Sequence, residues 1–537
     1  MRSVTRRTAL ASGAALASTA ALAACGGGGS DKNEDLAKAI DDLDPNINAE
    51  GMPIVKEPVT ITFLSARPST TAENWDEVSA VKATQELTNV KIDFGLVPQD
   101  GAGEKRNLLL TSGDYPEAFF RTGVPTGDIA KYGARGTFLP LNDLIESYMP
   151  NVKQRLEDMP GVRKALTFPD GNIYSLPQIY DSSFAGMRYM FKLWARKDWL
   201  DEAGMDAPET IDEFEAYLEE AVNKHDKAIG LADAASFGEM WSSFYGIFGV
   251  ANHGDAAGQI DLDPSSGKVR YFPASDEYRE MMEYLNRLYS KGLILQDIFS
   301  TDRAKFNTYG ADGRLAACAT QTPAGFFGEV GENYIPLKPL VKNAGDEPTW
   351  HAVRAECAGI GQFVMTDRCE HPVELARWMD YWYSEEGAAT FFLGAKGESW
   401  DEVDGEYTLK PEITEGGKTL DDGLKPHALF MGGSYPGWVT EKWFKGVEGS
   451  EQSMEASRMV SEYAIDDVWN PFPLTEEEAD RLSVVGTEIG TFLGESRAGF
   501  VTGQKKMSEW DDYVATLDKI GLPEFLEIQQ AAYDRLG

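Results

Sequence analysis

Four cysteines and five histidines in 537 residues leave little material for metal or nucleophile chemistry. Cys25 stands apart near the start. Cys318, Cys357 and Cys369 are an odd remainder with no paired CxxC, so a structural zinc site is not expected and at most one disulfide can form among them. The spacing leaves open whether any two pair. Cys318 in GRLAACAT and Cys357 in RAECAGIGQFVM lie in apolar, strand-like runs, which predicts buried free thiols. His225, His253, His351, His371 and His427 form no HExxH and no close pair, so each reads as a satisfied or solvated side chain. There is no GxSxG elbow for an activated serine. Gly417-Lys418-Thr419 has Glu412 where a phosphate loop needs its first glycine, and no apolar strand precedes it, so it reads as a surface turn. Basic residues are scarce too. Lys and Arg number 50 against 87 Asp and Glu, a net charge of −37, which argues against nucleic acid as a partner. No cofactor and no resident metal are expected.

The chain also lacks an apolar run long enough to span a bilayer. Ala9 to Ala24 is the candidate, but two serines, a threonine and a glycine dilute it, and it falls short of the roughly 20 apolar residues a span needs. With Arg2, Arg6 and Arg7 before it, residues 1–25 read as a removable export signal. Leu22-Ala23-Ala24-Cys25 matches a lipobox, in which cleavage leaves Cys25 as an N-terminus carrying diacylglycerol; an ordinary secretory peptide is the alternative. Arg6-Arg7 in TRRTAL resembles a twin-arginine signal, and the export route is left open. Gly26 to Ser30 and the polar stretch after them, residues 26–57, predict a flexible tether, with order beginning near Pro58. The expected location is the outer face of the cell membrane, held by lipid on Cys25.

What is present is a long alternation of strand-like and helix-like segments, the signature of α/β layers, over about 480 residues, more than one core usually supports. VTITFLSA from Val59, a helix through Leu87, the strand VKIDFGLV from Val90, a helix ending at Gly113-Asp114 and the strand EAFFRT make a βαβαβ opening. Thr210 with Glu213, Thr475 with Glu478 and Ser508 with Asp511 have capping-box spacing, and Gly292 reads as the residue just past a helix end.

SGDYPEAF, FPDGNIYSLP, ARKDWLDEAG, APETIDEFEAYL, YWYSEEGAATFFLGAKGESW and WDDYVATLDKIGLPEFLEIQQAAYDR, in this order and spacing, resemble the long lipoprotein subgroup of family 1 extracellular solute-binding proteins. That resemblance implies a two-lobed, hinged α/β fold of the periplasmic-binding-protein type with several chain crossings. It also implies a sugar or oligosaccharide held in the cleft and handed to the permease subunits and cytoplasmic ATPase of an ABC importer. Crossings are expected near Asn172–Gln178, Ala317–Thr322 and Met365–Pro372. Residues 58–172 and 318–366 then form lobe one, and 173–317 and 367–537 lobe two. A monomer without enzymatic activity is expected. A surface glycosidase, or a sugar sensor without transport, is the alternative. Alginate-oligosaccharide binders of this group carry an acidic calcium loop; here NKHDKAIGLADA and DLDPSSGKVRYF lack its ligand pattern, so no calcium is expected at Asp226 or Asp261.

Sugar sites combine aromatic platforms with paired polar groups, and open α/β sheets place ligands beyond strand ends. That singles out Arg67, Asn74 and Trp75 after the first strand, Arg121 and Thr122 at the end of the strand EAFFRT, and Tyr180 after the first crossing. Trp241 and Tyr245 in GEMWSSFYGIFG resemble the aromatic loop of maltose-type binders. Trp350 and Arg354 precede a strand, and Glu398 and Trp400 lie in a segment the family repeats. Trp241 has two readings, a stacking platform or a core residue seven positions before Phe248. Trp378, Trp382 and Phe392 are assigned to packing.

Overall fold

A computed structural model describes residues 28–234, 239–254, 258–415, 419–429 and 435–536. Cys25, the export signal and Gly417-Lys418 lie outside the described residues. The strands in chain order are β1 (Val59–Arg67), β2 (Val90–Asp93), β3 (Leu96–Pro98), β4 (Ala118–Phe120), β5 (Ser175–Tyr180), β6 (Lys192–Arg196), β7 (Ile229–Ala232), β8 (Ile260–Leu262), β9 (Val269–Tyr271), β10 (Leu315–Thr320), β11 (Tyr334–Pro336), β12 (Cys357–Met365), β13 (Trp400–Val403), β14 (Glu406–Leu409) and β15 (Gly437–Val439).

Two sheets organise two lobes. The first runs β15-β5-β12-β4-β1-β2, with β3 also on β1, and the second runs β11-β6-β10-β7. In the first sheet β1, β2, β3 and β4 are parallel while β12 runs antiparallel between β4 and β5. The expected βαβαβ opening is present, with its second strand divided. Gly95 has φ +50° and a Cβ there would lie 2.2 Å from the Phe63 carbonyl oxygen, so the chain bends where only glycine fits. Phe63 packs against Phe120 at 5.7 Å and Trp378 at 5.6 Å, and Trp378, Trp382 and Phe392 are buried.

Strand pairing moves the expected crossings. Ser175–Tyr180 bonds to β12 and β15 in the first sheet, although residues from 173 were assigned to lobe two. Leu315–Thr320 bonds to β6 and β7 in the second sheet, although residues from 318 were assigned to lobe one. β15 also joins the first sheet, and the helix Pro372–Tyr381 packs on the helices Asn142–Tyr148 and Pro150–Asp158 beside it. The physical reason is burial. SLPQIY and LAACAT are buried at every position and sit inside sheets, whereas the connections between sheets run through 181–191 and 337–356, and 440–450 leads from β15 to the helix Glu451–Ser461 packed on β6.

The expected tether is also packed. The helix Gly28–Asp41 lies against the helices Asn142–Tyr148 and Pro372–Tyr381, Leu36 is buried, and Tyr148 donates to the Ile40 carbonyl at 2.8 Å. Ile47 pairs with Val55, Ile54 and Val55 are fully buried, and Arg377 Nη2 donates to the Gly51 carbonyl at 2.6 Å. A few well-spaced apolar residues suffice because a neighbouring helix face receives them.

The Thr210–Glu213 and Thr475–Glu478 boxes form with both hydrogen bonds. At Ser508 a different box prevails. Lys506 N donates to Glu509 Oε2 at 2.7 Å, and a 3-10 turn, Met507–Glu509, precedes the helix Trp510–Lys519.

Candidate ligand cleft

The parallel strands of the first sheet end side by side. β1 ends at Arg67, β4 leads directly into Arg121 and Thr122, and β5 ends at Tyr180. Arg121 has φ +61°, an uncommon conformation for a non-glycine residue, which turns the chain out of β4. Its N–H donates to the Gln362 carbonyl at 2.6 Å, Nη1 donates to the Leu429 carbonyl at 2.9 Å, and the guanidinium lies 5.8 Å from the Trp75 ring centre. Burial pushes the Arg121 guanidinium down to about 10.

Ser65 Oγ, Thr122 Oγ1 and Gln362 Oε1 are buried and have no hydrogen-bond partner among the described residues. Ser65 and Phe363 both register opposite Phe120, so Ser65 is level with Phe120, while Gln362 and Thr122 lie one and two residues further toward the same end of the adjacent strands β12 and β4. Each such orphan costs about 1–3 kcal/mol, and three together mark a place where hydrogen-bonding capacity is held in reserve.

A charged cluster is built where the chain passes between sheets, next to Tyr180 at the end of β5. Arg354 N–H donates to the Arg188 carbonyl at 2.9 Å and Arg188 Nε donates back to the Arg354 carbonyl at 2.6 Å, so two connections are tied together. The Arg354 guanidinium lies 5.7 Å from the Tyr180 ring centre, and Arg188 pairs with Glu356 at 3.3 Å. Lys192 is fully buried. Its Nζ donates to Ser453 Oγ at 3.1 Å and Ser457 Oγ at 2.9 Å, and burial pushes it down to about 7. Burial likewise pushes the Glu448 carboxyl up, against the pull of Lys192, Arg354 and Arg303.

A third element is aromatic. Trp241, on the short helix Glu239–Ser243, is buried, with Phe299 stacked on it at 5.7 Å and 21° and the Arg497 guanidinium 5.3 Å from its ring centre. Phe299 is the exposed member, at 37%. Sequence reasoning missed Phe299, Gln362 and Glu448. The signal for Phe299 was a large aromatic inside the polar turn QDIFSTD.

The remaining candidates are engaged in caps, packing and surface contacts. Asn74 Oδ1 accepts from Asp76 N at 3.1 Å and caps a 3-10 turn, while Trp75 is 1% exposed and packs edge-on to Phe94 at 5.1 Å. Tyr245 is buried edge-on to Phe272 at 5.3 Å. Trp350 lies in a separate small cluster with Val353 and Val460, its Nε1 without a partner among the described residues. Trp400 is buried on the β13–β14 hairpin, its Nε1 donating to the Gly394 carbonyl at 2.8 Å; Glu398 is exposed, 3.9 Å from His427 Nδ1. Arg67 is half-buried at the end of β1.

Among the described residues Cys318, Cys357 and Cys369 form no disulfide, and burial pushes the Cys357 thiol up to about 12. Among the described residues no three His, Cys, Asp or Glu side chains are grouped to hold a metal ion. Asp261 is bonded to Arg270 at 2.7 Å, and Asp263 accepts from Ser265 and Ser266.

Residues 68–389 match the family described as "Bacterial extracellular solute-binding protein". The fructooligosaccharide ABC transporter substrate-binding protein FusA of Streptococcus pneumoniae is 27% identical over 549 residues, covering 97% of this chain and 96% of that protein. The structure of an EF-hand mutant of S. pneumoniae FusA in complex with fructo-nystose superposes with a TM-score of 0.73 at 24% identity, covering 89% of this chain and 99% of that one. The alginate-binding protein AlgQ2 without calcium ion superposes with a TM-score of 0.72 at 21% identity, covering 90% and 100%.

Proposed function

Because this chain belongs to the bacterial extracellular solute-binding proteins, we propose that it captures an oligosaccharide between its lobes and delivers it to the permease of an ABC importer. The observation that carries the reading is the set of orphaned buried oxygens, Ser65 Oγ in β1, Gln362 Oε1 in β12 and Thr122 Oγ1 just past β4, on adjacent strands of the first sheet. Sugar hydroxyls both donate and accept, and so satisfy such groups in sets. Arg67, Arg121, Thr122, Gln362, Tyr180 and Arg354 supply the polar contacts from lobe one and the connections, and Phe299 backed by Trp241 supplies a stacking face from the other side.

Ligand touching both lobes favours the closed arrangement by its differential affinity, which is how capture proceeds without chemistry. In this reading the protein is a monomer and not an enzyme. It is exported behind residues 1–25 and held outside the membrane by lipid on Cys25; among the described residues no helix is long and apolar enough to cross a bilayer. Lobe one comprises the first sheet with the N-terminal segment packed on it, and lobe two the second sheet with its helices.

The test is a thermal-shift and calorimetric screen with kestose, nystose and alginate oligosaccharides. A ligand at 100 times its Kd stabilises by about 2.7 kcal/mol. Binding with the oligosaccharide recovered intact supports the reading. Cleavage products would favour a glycosidase, and no binding by any oligosaccharide would sink it.

A further inference from the structure

The C-terminal helices contact both lobes, and their two ends are held in different ways. The helix Glu476–Thr502 has 27 residues, about 40 Å at 1.5 Å per residue. Its second half is embedded in lobe two. Asn286 Nδ2, on the helix Asp276–Ser290, donates to the Phe500 and Val501 carbonyls at 3.0 and 3.1 Å, and half-buried Arg497 donates to Tyr278 Oη at 2.8 Å. The following helices add Tyr513 Oη to the Pro273 carbonyl at 3.2 Å and Phe525 against Tyr271 at 5.7 Å.

The first turns rest on lobe one through exposed charge. The helix Thr126–Ala134 begins four positions after Thr122 and presents Lys131 and, just past its end, Arg135. Arg135 pairs with Glu476 at 2.7 Å and Lys131 with Asp480 at 3.6 Å. A Cβ on Gly127 would come within 3.2 Å of the Ala479 Cβ, so the helices approach closely between these pairs. Nearby, the last helix, Leu522–Leu536, meets lobe one across an open groove of about 650 Å³ lined by Pro160, Lys164, Phe168, Pro473 and Leu536. Lys164 Nζ bridges it to the Leu536 carbonyl at 3.1 Å, and Arg535 ties the same helix to Glu478 at 2.6 Å. Against lobe two the unit is packed with aromatic side chains, and against lobe one the close approach of Gly127 and Ala479 is flanked by ion pairs and an open groove. Exposed ion pairs are weak and screened by salt, so they are the part of that contact most easily loosened.

We propose that Lys131 and Arg135, facing Glu476 and Asp480, form an ionic clasp that holds the two lobes in the arrangement seen here and so governs ligand capture without touching ligand. These four are positioning residues. The inference rests on the reading of the cleft as a ligand site that opens and closes.

The test uses the protein carrying Cys25→Ser, with fluorophores at Leu108→Cys on lobe one and Glu220→Cys on lobe two, both exposed positions. Interlobe distance distributions are read without sugar and with saturating kestose. Lys131→Glu with Arg135→Glu is expected to lower the population with the present interlobe distance about fivefold, as loss of two exposed pairs would. Raising salt from about 0.01 M to about 1 M, which shrinks the Debye length from about 30 to about 3 Å, should reproduce that shift in the parent and not in the variant. Adding Glu476→Lys and Asp480→Lys to the reversed pair should restore the distribution, though incompletely, because cations at a helix N-terminus oppose its dipole. An unchanged distribution in the reversed variant, or a swap that restores nothing, would overturn the clasp. The sugar-free arm does not depend on which ligand the cleft takes. Failure to bind kestose therefore bears on the ligand reading, and an unmoved sugar-free distribution bears on the clasp.

Discussion

The Arg497 guanidinium lies 5.3 Å from the ring centre of Trp241, and Phe299 stacks on that same ring at 5.7 Å. The buried ring is thus sandwiched in packing, and the exposed ring is the one a ligand meets. Trp241→Ala is expected to cost about 3–5 kcal/mol of stability through the cavity it leaves. Phe299→Ala should cost under about 1 kcal/mol of stability yet weaken oligosaccharide binding about tenfold. Denaturant melts and calorimetry on both variants decide the matter, and the reverse pattern would return Trp241 to the role of platform.

Thr122 offers a test in which stability and binding move in opposite directions. Its Oγ1 is buried without a partner among the described residues, so Thr122→Val, nearly isosteric, removes an unsatisfied group. Stability without sugar should hold or rise by up to about 1 kcal/mol, while affinity falls about tenfold because a ligand hydroxyl loses its partner. A loss of stability with affinity intact would mean that the hydroxyl is satisfied within the chain.

How much of this was legible beforehand depends on how local the determinant is. The boxes at Thr210 and Thr475 need only residues three apart, and both were readable. Ser508 had the same spacing but lost to Lys506–Glu509, a competition that residue pattern alone does not decide. The α/β alternation and the ends of β1 and β4 followed from periodicity, whereas β5 read as a crossing. The insertion of β12 between β4 and β5 joins residues some 180 to 240 positions apart, and nothing local announces it. The same limit governed the site. Arg121 and Thr122 were found from their place after a strand, but whether Trp75 or Phe299 is exposed depends on which distant side chains cover it.

Lys192 should make stability depend on pH. Burial lowers its folded pKa to about 7, below its unfolded value near 10.4, so between these values the unfolded chain binds more protons. Its contribution is fully unfavourable below about pH 7, and stability rises as pH climbs from there toward about 10. The groups around it are the Ser453 and Ser457 hydroxyls, the Trp194 ring at 6.0 Å and the Glu448 carboxyl, whose charge it feels. Lys192→Met should flatten the slope of unfolding free energy against pH in that window. An identical slope in variant and parent would show that Lys192 stays charged when buried.

The anchor reading makes Cys25 the sole attachment. Cys25→Ser should release the protein from membranes into the medium, because the apolar stretch before it is too short to hold the chain stably. Fractionation followed by a high-salt wash checks this. Protein that stays in the membrane fraction would leave the lipobox reading without support.

The N-terminal segment gives the last test. Were residues 26–57 a flexible tether, substitutions within it would change stability by less than about 0.5 kcal/mol. Instead Ile54 is fully buried, its N–H donates to the Thr88 carbonyl at 3.0 Å, and Val55 beside it is buried and paired with Ile47. Ile54→Ala leaves those backbone bonds in place and removes only side-chain volume. It is therefore expected to cost about 2–5 kcal/mol, read as a lower midpoint in the first urea transition. Lys56→Ala, an exposed change two positions on, serves as the control and should leave that midpoint in place. If Ile54→Ala behaves like the control, the segment is not part of the lobe-one core, and Cys25 would then hold the protein by a loose leash of about thirty residues rather than close against lobe one.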